Sequence, residues 1–433
     1  MNKFIIYAAF TSNRLTYVLD FIFNEVLGVE YELTSSETDF LSSPYFRINY
    51  SHKNLISDIH IDSNGLLFEN EIVEKEIYCT EWNELPIFFQ TQETEIPFDI
   101  FAAIFYLLSR YEEYLPYEPD SYFRFPHTKS IAFQNNFLNL PLIDLWIEEI
   151  KKNINGKNHS IQFKENTFQF IPSYDIDIAY SFKGKGFVRN AAGTLKDLLK
   201  FDHKNVVSRL KVLFANQKDP YDSFLFLDEI HEQFSLNPIY FFLLSEGSKY
   251  DKNLNHDSSL MKKLISTIQS KYKVGIHPSW KSHENLNSLQ KEVLLLKDVK
   301  KSRQHYIRFA LPETFRNLLH VKITDDYSMG YGSINGFRAS TSRSFNWFDL
   351  EKNEETLLRL HPFCFMECNS YFEQKFTAEK AFEEMHHYAT IVKKVNGNLI
   401  TIWHNFSLGT DPLWKGWKEK YIDFLKKGYH LQG

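Results

Sequence analysis

The stretch Pro172-Ser173-Tyr174-Asp175-Ile176-Asp177 places two carboxylates two residues apart at the end of an apolar run. On an extended strand, residues i and i+2 share a face, so Asp175 and Asp177 stand side by side. Carboxylates that close repel each other and need a cation or a shared proton to coexist. A divalent metal bound by one, with the other beside it as a base, meets both demands. The competing reading is a loop in which these acids cap the next helix or pair with Lys183 or Arg189.

Histidines and arginines recur at the ends of later apolar runs. His277 leaves Val274-Gly275-Ile276 into a proline-containing loop, and neutral imidazole suits zinc. Ser302-Arg303-Gln304-His305-Tyr306 offers His305 as a further ligand and Arg303 to orient a base or bind an anion. Gly336-Phe337-Arg338-Ala339-Ser340 offers a second arginine, Arg338. In Ile400-Thr401-Ile402-Trp403-His404-Asn405, His404 stands between an indole able to stack on a sugar face and an amide able to bond hydroxyls. Each of these residues alone reads as a satisfied histidine or an ion-paired arginine; their weight comes from recurrence at successive strand ends. Glu383 and His387 also have metal-binding spacing, but they flank a helical stripe of Phe382, Met385, Ala389 and Val392 and read as solvated. His127 and His256 read as structural or weak, whereas His283 lies near enough to His277 to compete as a ligand.

The elements that must position these groups follow from periodicity. Residues 1–158 read as a mixed α/β unit, with a strand over 3–9 and helices over 15–27, 97–114 and 141–152. The polar run Asn155-Gly156-Lys157-Asn158 is the expected boundary. Residues 159–433 alternate strands, expected at 168–176, 238–244, 273–276, 336–339, 363–367 and 399–403, with helices at 221–234, 258–272, 288–297, 378–394 and after Pro412. Such alternation implies a parallel sheet, open or closed into a barrel, with chemistry at the carboxyl ends of its strands.

Composition sets the outer bounds. The 433 residues are 43% hydrophobic and 24% charged with a formal charge of −6, and no Lys/Arg run supplies a nucleic-acid footprint. The aromatic excess, 40 Phe and 24 Tyr, reads mainly as core. Three cysteines, Cys79, Cys364 and Cys368, are too few for a disulfide framework or a zinc cluster and read as buried thiols in a reducing compartment. The first residues lack the pattern of an export signal, and no run reaches the roughly 18 apolar residues of a membrane span. A cytoplasmic location is the expectation.

Taken in order, the strand-end Asp pair, strand-end His, Arg and final strand-end His are similar to the polysaccharide deacetylase superfamily. The stretches IPSYDIDIAYSFKGKGFVRN, VGIHPS, SRQHYIRFALPETF, DYSMGYGSINGFRAS and WHN resemble an uncharacterised bacterial branch of it, and FDIFAAIFYLLSRYEEYL resembles that branch's N-terminal accessory domain. The resemblance implies a distorted, incomplete (β/α) barrel preceded by a smaller mixed α/β domain. It also implies a divalent metal, zinc above others, that activates water to remove acetyl groups from an N- or O-acetylated carbohydrate in surface polysaccharide metabolism. Asp175 matches the catalytic base, Asp177 and His277 match metal ligands, and His404 matches the general acid. Arg338, or failing it Arg303, matches the arginine that orients the base. Tyr327, Trp403 and Asn405 are expected at the substrate. Two features depart from the pattern: Ile176 separates the acids, and Lys281 stands where a second metal histidine is usual. His305 is the expected replacement and His283 the fallback. The departures leave two other readings, a metal-dependent amidohydrolase acting on a non-sugar amide and a glycan-binding or scaffold protein without catalysis.

Overall fold

Phe4, Ile5, Ile6 and Tyr7 are apolar without alternation, and a strand of that kind must be covered on both faces. In the computed structural model, which describes residues 3–91 and 95–429, they form β1 (Lys3–Ala8) at the inside of a four-stranded parallel sheet. The sheet continues with β2 (Glu30–Thr34), β3 (Phe46–Tyr50) and β4 (Ile59–Ile61), in the order β2-β1-β3-β4. A small antiparallel hairpin, β5 (Thr80–Trp82) and β6 (Leu85–Ile87), follows.

The helix Ile100–Leu108 is apolar all round and buried at every position. Its first turn is capped by Asp99, whose Oδ1 accepts the Ala102 N–H at 2.9 Å. Being apolar on all sides, it packs in two directions: Phe101 meets Phe23 of the helical segment Asp20–Leu27 and Tyr50 of the small sheet, and Phe105 meets Phe348 far along the chain. One hydrophobic core therefore runs from the first 158 residues into the rest. The expected break at 155–158 lies largely within a helix, Leu142–Lys157. Ile150 and Ile154 carry its buried stripe up to the polar run.

The larger sheet holds β7 (Gln169–Ile176), β8 (Ile239–Phe242), β9 (Lys273–Ile276), β10 (Lys301–Ser302), β11 (Asp325–Asp326), β12 (Phe345–Asp349), β13 (Glu354–Leu360), β14 (Phe365–Met366) and β15 (Asn398–His404). Their order is β12-β13-β11-β10-β9-β8-β7-β15-β14, with every pairing parallel except β12 with β13. Strands from β7 to β11 neighbour one another in chain order, as in successive βα units. Among the described residues β12 and β14 pair with nothing further, so the sheet is open and no closed barrel forms. The strand expected over 336–339 is instead a turn. There Gly336 (φ 137°) and Phe337 donate backbone N–H groups to Cys364 and Leu138. An antiparallel pair, β12 and β13, supplies the edge that the sequence reading lacked.

Helices Phe224–Gln233, Ser259–Gln269, Leu286–Leu294, Ala378–Lys394 and Trp417–Lys426 lie where periodicity placed them. Two more, Gly186–Leu199 and His203–Phe214, follow β7 without having been anticipated. Among the described residues no helix is long and apolar enough to cross a membrane.

Candidate metal centre

The carboxyl ends of β7, β9, β10 and β15 face one cleft of ≈ 380 Å³, and Asp175, Asp177, His277, His305 and His404 all line it. Asp177 is the hub. Its Oδ1 lies 3.1 Å from His277 Nε2, and its Oδ2 lies 3.3 Å from His305 Nε2 and 3.5 Å from His404 Nε2.

Each imidazole is fixed from behind. His277 Nδ1 lies 2.5 Å from the Arg303 carbonyl oxygen, which can only accept, so Nδ1 carries the proton and Nε2 turns a lone pair to the cleft. His305 Nδ1–H donates to Asp251 Oδ1 at 2.8 Å, and His404 Nδ1–H donates to Glu367 Oε1 at 2.9 Å. A carboxylate or carbonyl behind the imidazole is how metal-ligating histidines are oriented. The tautomer of His277 explains why Asp177 Oδ1, though buried, has no hydrogen-bond partner. It faces a lone pair rather than a proton.

These features fit a metal ion. Zinc bonds of about 2.0–2.1 Å at tetrahedral angles set neighbouring donor atoms roughly 3.3 Å apart. The Asp177–His277 and Asp177–His305 separations of 3.1 and 3.3 Å match that edge. Charge points the same way, because Asp175, Asp177, Asp251 and Glu367 converge on the site while Arg303 is the one arginine that pairs with them. His305 registers that charge balance. Burial lowers its pKa, but Asp177 and Asp251 raise it to about 9. Asp177 is held well below the ordinary carboxylate range, because His305 and the other imidazoles outweigh the burial that raises it.

Asp175 is held differently. Arg303 Nη1 donates to its Oδ1 at 2.8 Å, leaving Oδ2 3.9 Å from His277 Nε2. The same guanidinium bonds Ser173 Oγ and the Tyr327 carbonyl and lies 4.4 Å over the Phe241 ring. Gly275 leaves room for that ring, since a Cβ there would stand 2.5 Å from it. After His305 the chain turns sharply, with Tyr306 at φ 60° and Ile307 at φ 55°. A left-handed β-branched residue costs on the order of 1–3 kcal/mol and is tolerated where packing over-determines it.

Several expected site residues lie elsewhere. Arg338 does not reach Asp175; it forms a two-point pair with Glu113, 2.8 and 2.6 Å, and the arginine that engages Asp175 is Arg303. Trp403 alternates to the opposite face of β15 from His404 and is fully buried among Phe365, Phe382 and Tyr421. Asn405 spends its amide on the carbonyls of Ile178, Ala179 and Tyr221. Tyr327 is stacked on His361 at 4.2 Å, away from the cleft. Lys281 and His283 are not among the cleft residues, and burial followed by Arg308 pushes His283 down to about 4. The pairing of Glu383 with Lys380 fits its reading as solvated.

The sequence reading missed Asp251, Glu367 and the contribution of the first 158 residues. Tyr122 and Arg124 line the cleft; Tyr122 stacks on Tyr306 at 5.2 Å, and Arg124 Nη1 donates to the Tyr306 carbonyl at 2.7 Å. Cys368, expected to be buried, is half-buried in the cleft wall 3.4 Å from His404 Nδ1. Burial and the neighbouring Glu367 push its thiol up to about 12, so it stays protonated.

A family of unknown function (DUF7033) matches residues 4–159, which include Tyr122 and Arg124 but none of the metal-facing groups. No curated protein matches the chain. Among solved structures, one from Mycobacterium smegmatis bearing a provisional polysaccharide deacetylase name aligns with a TM-score of 0.40 at 12% identity, covering 62% of this chain and 86% of that one.

Proposed function

We propose that the chain is a metal-dependent hydrolase of the polysaccharide deacetylase type, its open sheet an incomplete (β/α) barrel, that removes acetyl groups from an N- or O-acetylated carbohydrate. One observation carries the reading: Asp177, His277 and His305 converge with their imidazoles pinned from behind, and an arginine-held carboxylate stands beside them. Asp177, His277 and His305 would hold the ion, zinc by its donor set of two imidazoles and a carboxylate. When bound, the metal supplies Lewis-acid polarisation of the acetyl carbonyl and a lowered pKa for water.

The protein's own groups do the proton work. Arg303 engages Asp175 Oδ1 and leaves Oδ2 toward the cleft, where it takes the proton of the attacking water. Glu367 fixes His404 through Nδ1 and aims Nε2 into the cleft, where it protonates the departing sugar amine or hydroxyl. The rings of Tyr306 and Phe406, with Arg124 and Asn369, form the walls against which a sugar is positioned.

The test is acetate release from a panel of N- and O-acetylated sugars by the purified chain loaded with zinc, cobalt or manganese. Release that requires metal and is lost in Asp175→Asn, with metal content unchanged, supports the proposal. Stoichiometric metal without release from any acetylated sugar, but with hydrolysis of small non-sugar amides, overturns the substrate class.

A further inference from the structure

The loop leaving β7 runs into the helices Gly186–Leu199 and His203–Phe214, which pack together as a hairpin. Paired helices in water ordinarily bury their apolar faces. This pair is arranged the other way. On the first helix Phe187, Val188, Leu195, Leu198 and Leu199 fall on one face at helical spacing and are all exposed, Phe187 to 85%. Phe201 in the connection is 81% exposed, and the second helix adds Leu210, Leu213 and Phe214, the last at 80%.

The polar side faces inward. Arg209 is buried between the helices, donating to Asp197 Oδ2 at 2.5 Å and Asn190 Oδ1 at 3.3 Å. Gly193 makes space for that guanidinium, since a Cβ there would stand 2.4 Å from Arg209 Nη1. Behind the hairpin Lys185, Arg189, Lys196, Arg209 and Lys252 line a basic cavity whose wall also includes Asp251.

A contiguous apolar face of this size is covered by something when the protein works. Charge identifies the cover. Residues 183–218 carry nine Lys and Arg against two Asp, a balance of +7 in a chain totalling −6, which leaves −13 for the remainder. Two such faces repel each other, so a second copy is a poor partner. A negatively charged bilayer is a good one: exposed lysines reach its headgroups while phenylalanine and leucine enter the acyl boundary.

We propose that the hairpin 186–214 docks the protein on an anionic membrane surface, inserting Phe187, Leu195, Leu199, Phe201 and Phe214 while Lys200, Lys204 and Lys211 contact headgroups. This docking stands apart from the catalytic reading, because it uses none of the cleft residues.

Flotation of the full chain with vesicles of phosphatidylcholine alone, or mixed with phosphatidylglycerol, tests it. The protein should float with the anionic vesicles roughly tenfold or more over neutral ones and should leave them at about 0.5 M salt. The triple variants F187S/L199S/F214S and K200E/K204E/K211E, all at exposed positions, should each lose flotation while keeping the native circular dichroism. Failure of the wild-type chain to float with anionic vesicles at low salt overturns the proposal, as does equal flotation of the serine variant. So does sedimentation showing a dimer that the serine variant converts to monomer without any lipid binding, since a second copy would then be the cover.

Discussion

Two of the clusters of buried charge among the described residues are built to opposite ends. At the junction between the first 158 residues and the rest, Arg338 grips both oxygens of Glu113, and Arg110 bonds Glu113 and Glu112 at 2.8 and 2.7 Å. Two arginines face two glutamates, and the charges close on themselves. At the strand ends four carboxylates meet one arginine and three imidazoles whose second nitrogens turn to a cavity. The first arrangement is paired within the protein, with Arg110 Nη1 left over; the second turns nitrogens and oxygens able to bind a metal toward a cavity. Burial and ionisable residue types are common to both, so neither property distinguishes structure from site. What distinguishes them is where the unused lone pairs point.

The largest expected effect breaks the open cluster. Asp177→Asn should abolish stoichiometric metal binding and lower acetate release by on the order of 10³-fold or more, read by elemental analysis and an acetate assay. The apo protein should be less stable than wild type near neutral pH, because a carboxylate held below its unfolded pKa stabilises the fold there and His305 loses its partner. Retention of tight metal would show that the cluster is as self-contained as the one at the junction. Next is Glu113→Gln, which strands buried Arg338 and leaves Arg110 with Glu112 alone. It should cost about 3–5 kcal/mol in denaturant unfolding while the folded fraction still binds metal with unchanged stoichiometry. A loss of metal instead would mean that the junction and the cleft are one unit.

How much of this contrast was legible in the sequence depends on the distance over which each signal acts. Asp175, Asp177, His277 and His404 follow directly on apolar strands, so the strand-end rule found them. His305 needed only the additional thought that a ligand absent at Lys281 must come from elsewhere. Glu367 was as accessible, standing at the end of β14, but a glutamate beside a cysteine has no spacing signature. Asp251 was not accessible: eight residues of loop separate it from Phe242, and only the tertiary fold brings it to His305. The choice between Arg338 and Arg303 failed for the same reason, because Glu113 lies 225 residues from Arg338 and no local pattern announces the pair. Trp403 is the one misplacement that local reasoning could have prevented. Strand alternation puts it on the face opposite His404. The polar run at 155–158 is not a turn, because the helix Leu142–Lys157 continues through most of it, with Ile154 buried just before.

Asp251 also gives the third prediction, which sharpens the comparison by removing support without removing a ligand. Asp251→Asn keeps an oxygen able to accept the His305 Nδ1–H but loses the charge behind the ring. Metal affinity should fall about 10–100-fold, with stoichiometry preserved at saturating metal, as measured by competition with a chelator dye. An unchanged affinity would place Asp251 among the loop-fixing residues, holding Ser248 and the Trp280 N–H.

The smallest effect lies within the junction cluster, where two adjacent glutamates have opposite pH signatures. Burial raises Glu113, but Arg338 and Arg110 outweigh it and its pKa is lowered from 4.5. Burial also raises Glu112, and there the single arginine does not outweigh it, so its pKa stays above 4.5. A lowered acid contributes stability that is present above its unfolded pKa and is lost as pH falls through the folded value. A raised acid contributes stability that is present below its unfolded pKa and is lost as pH climbs through the folded one. Glu113→Gln should therefore flatten the acid limb of stability below about pH 4.5, and Glu112→Gln should remove a decline just above it. Each change is bounded by one proton, or about 1.4 kcal/mol per pH unit. Urea unfolding of both variants from about pH 3 to 7 measures the two slopes. If both variants changed the slope in the same sense, Arg110 would be dividing its charge evenly between the two glutamates. The closed cluster would then be held by a shared field and not by the two-point grip of Arg338 on Glu113.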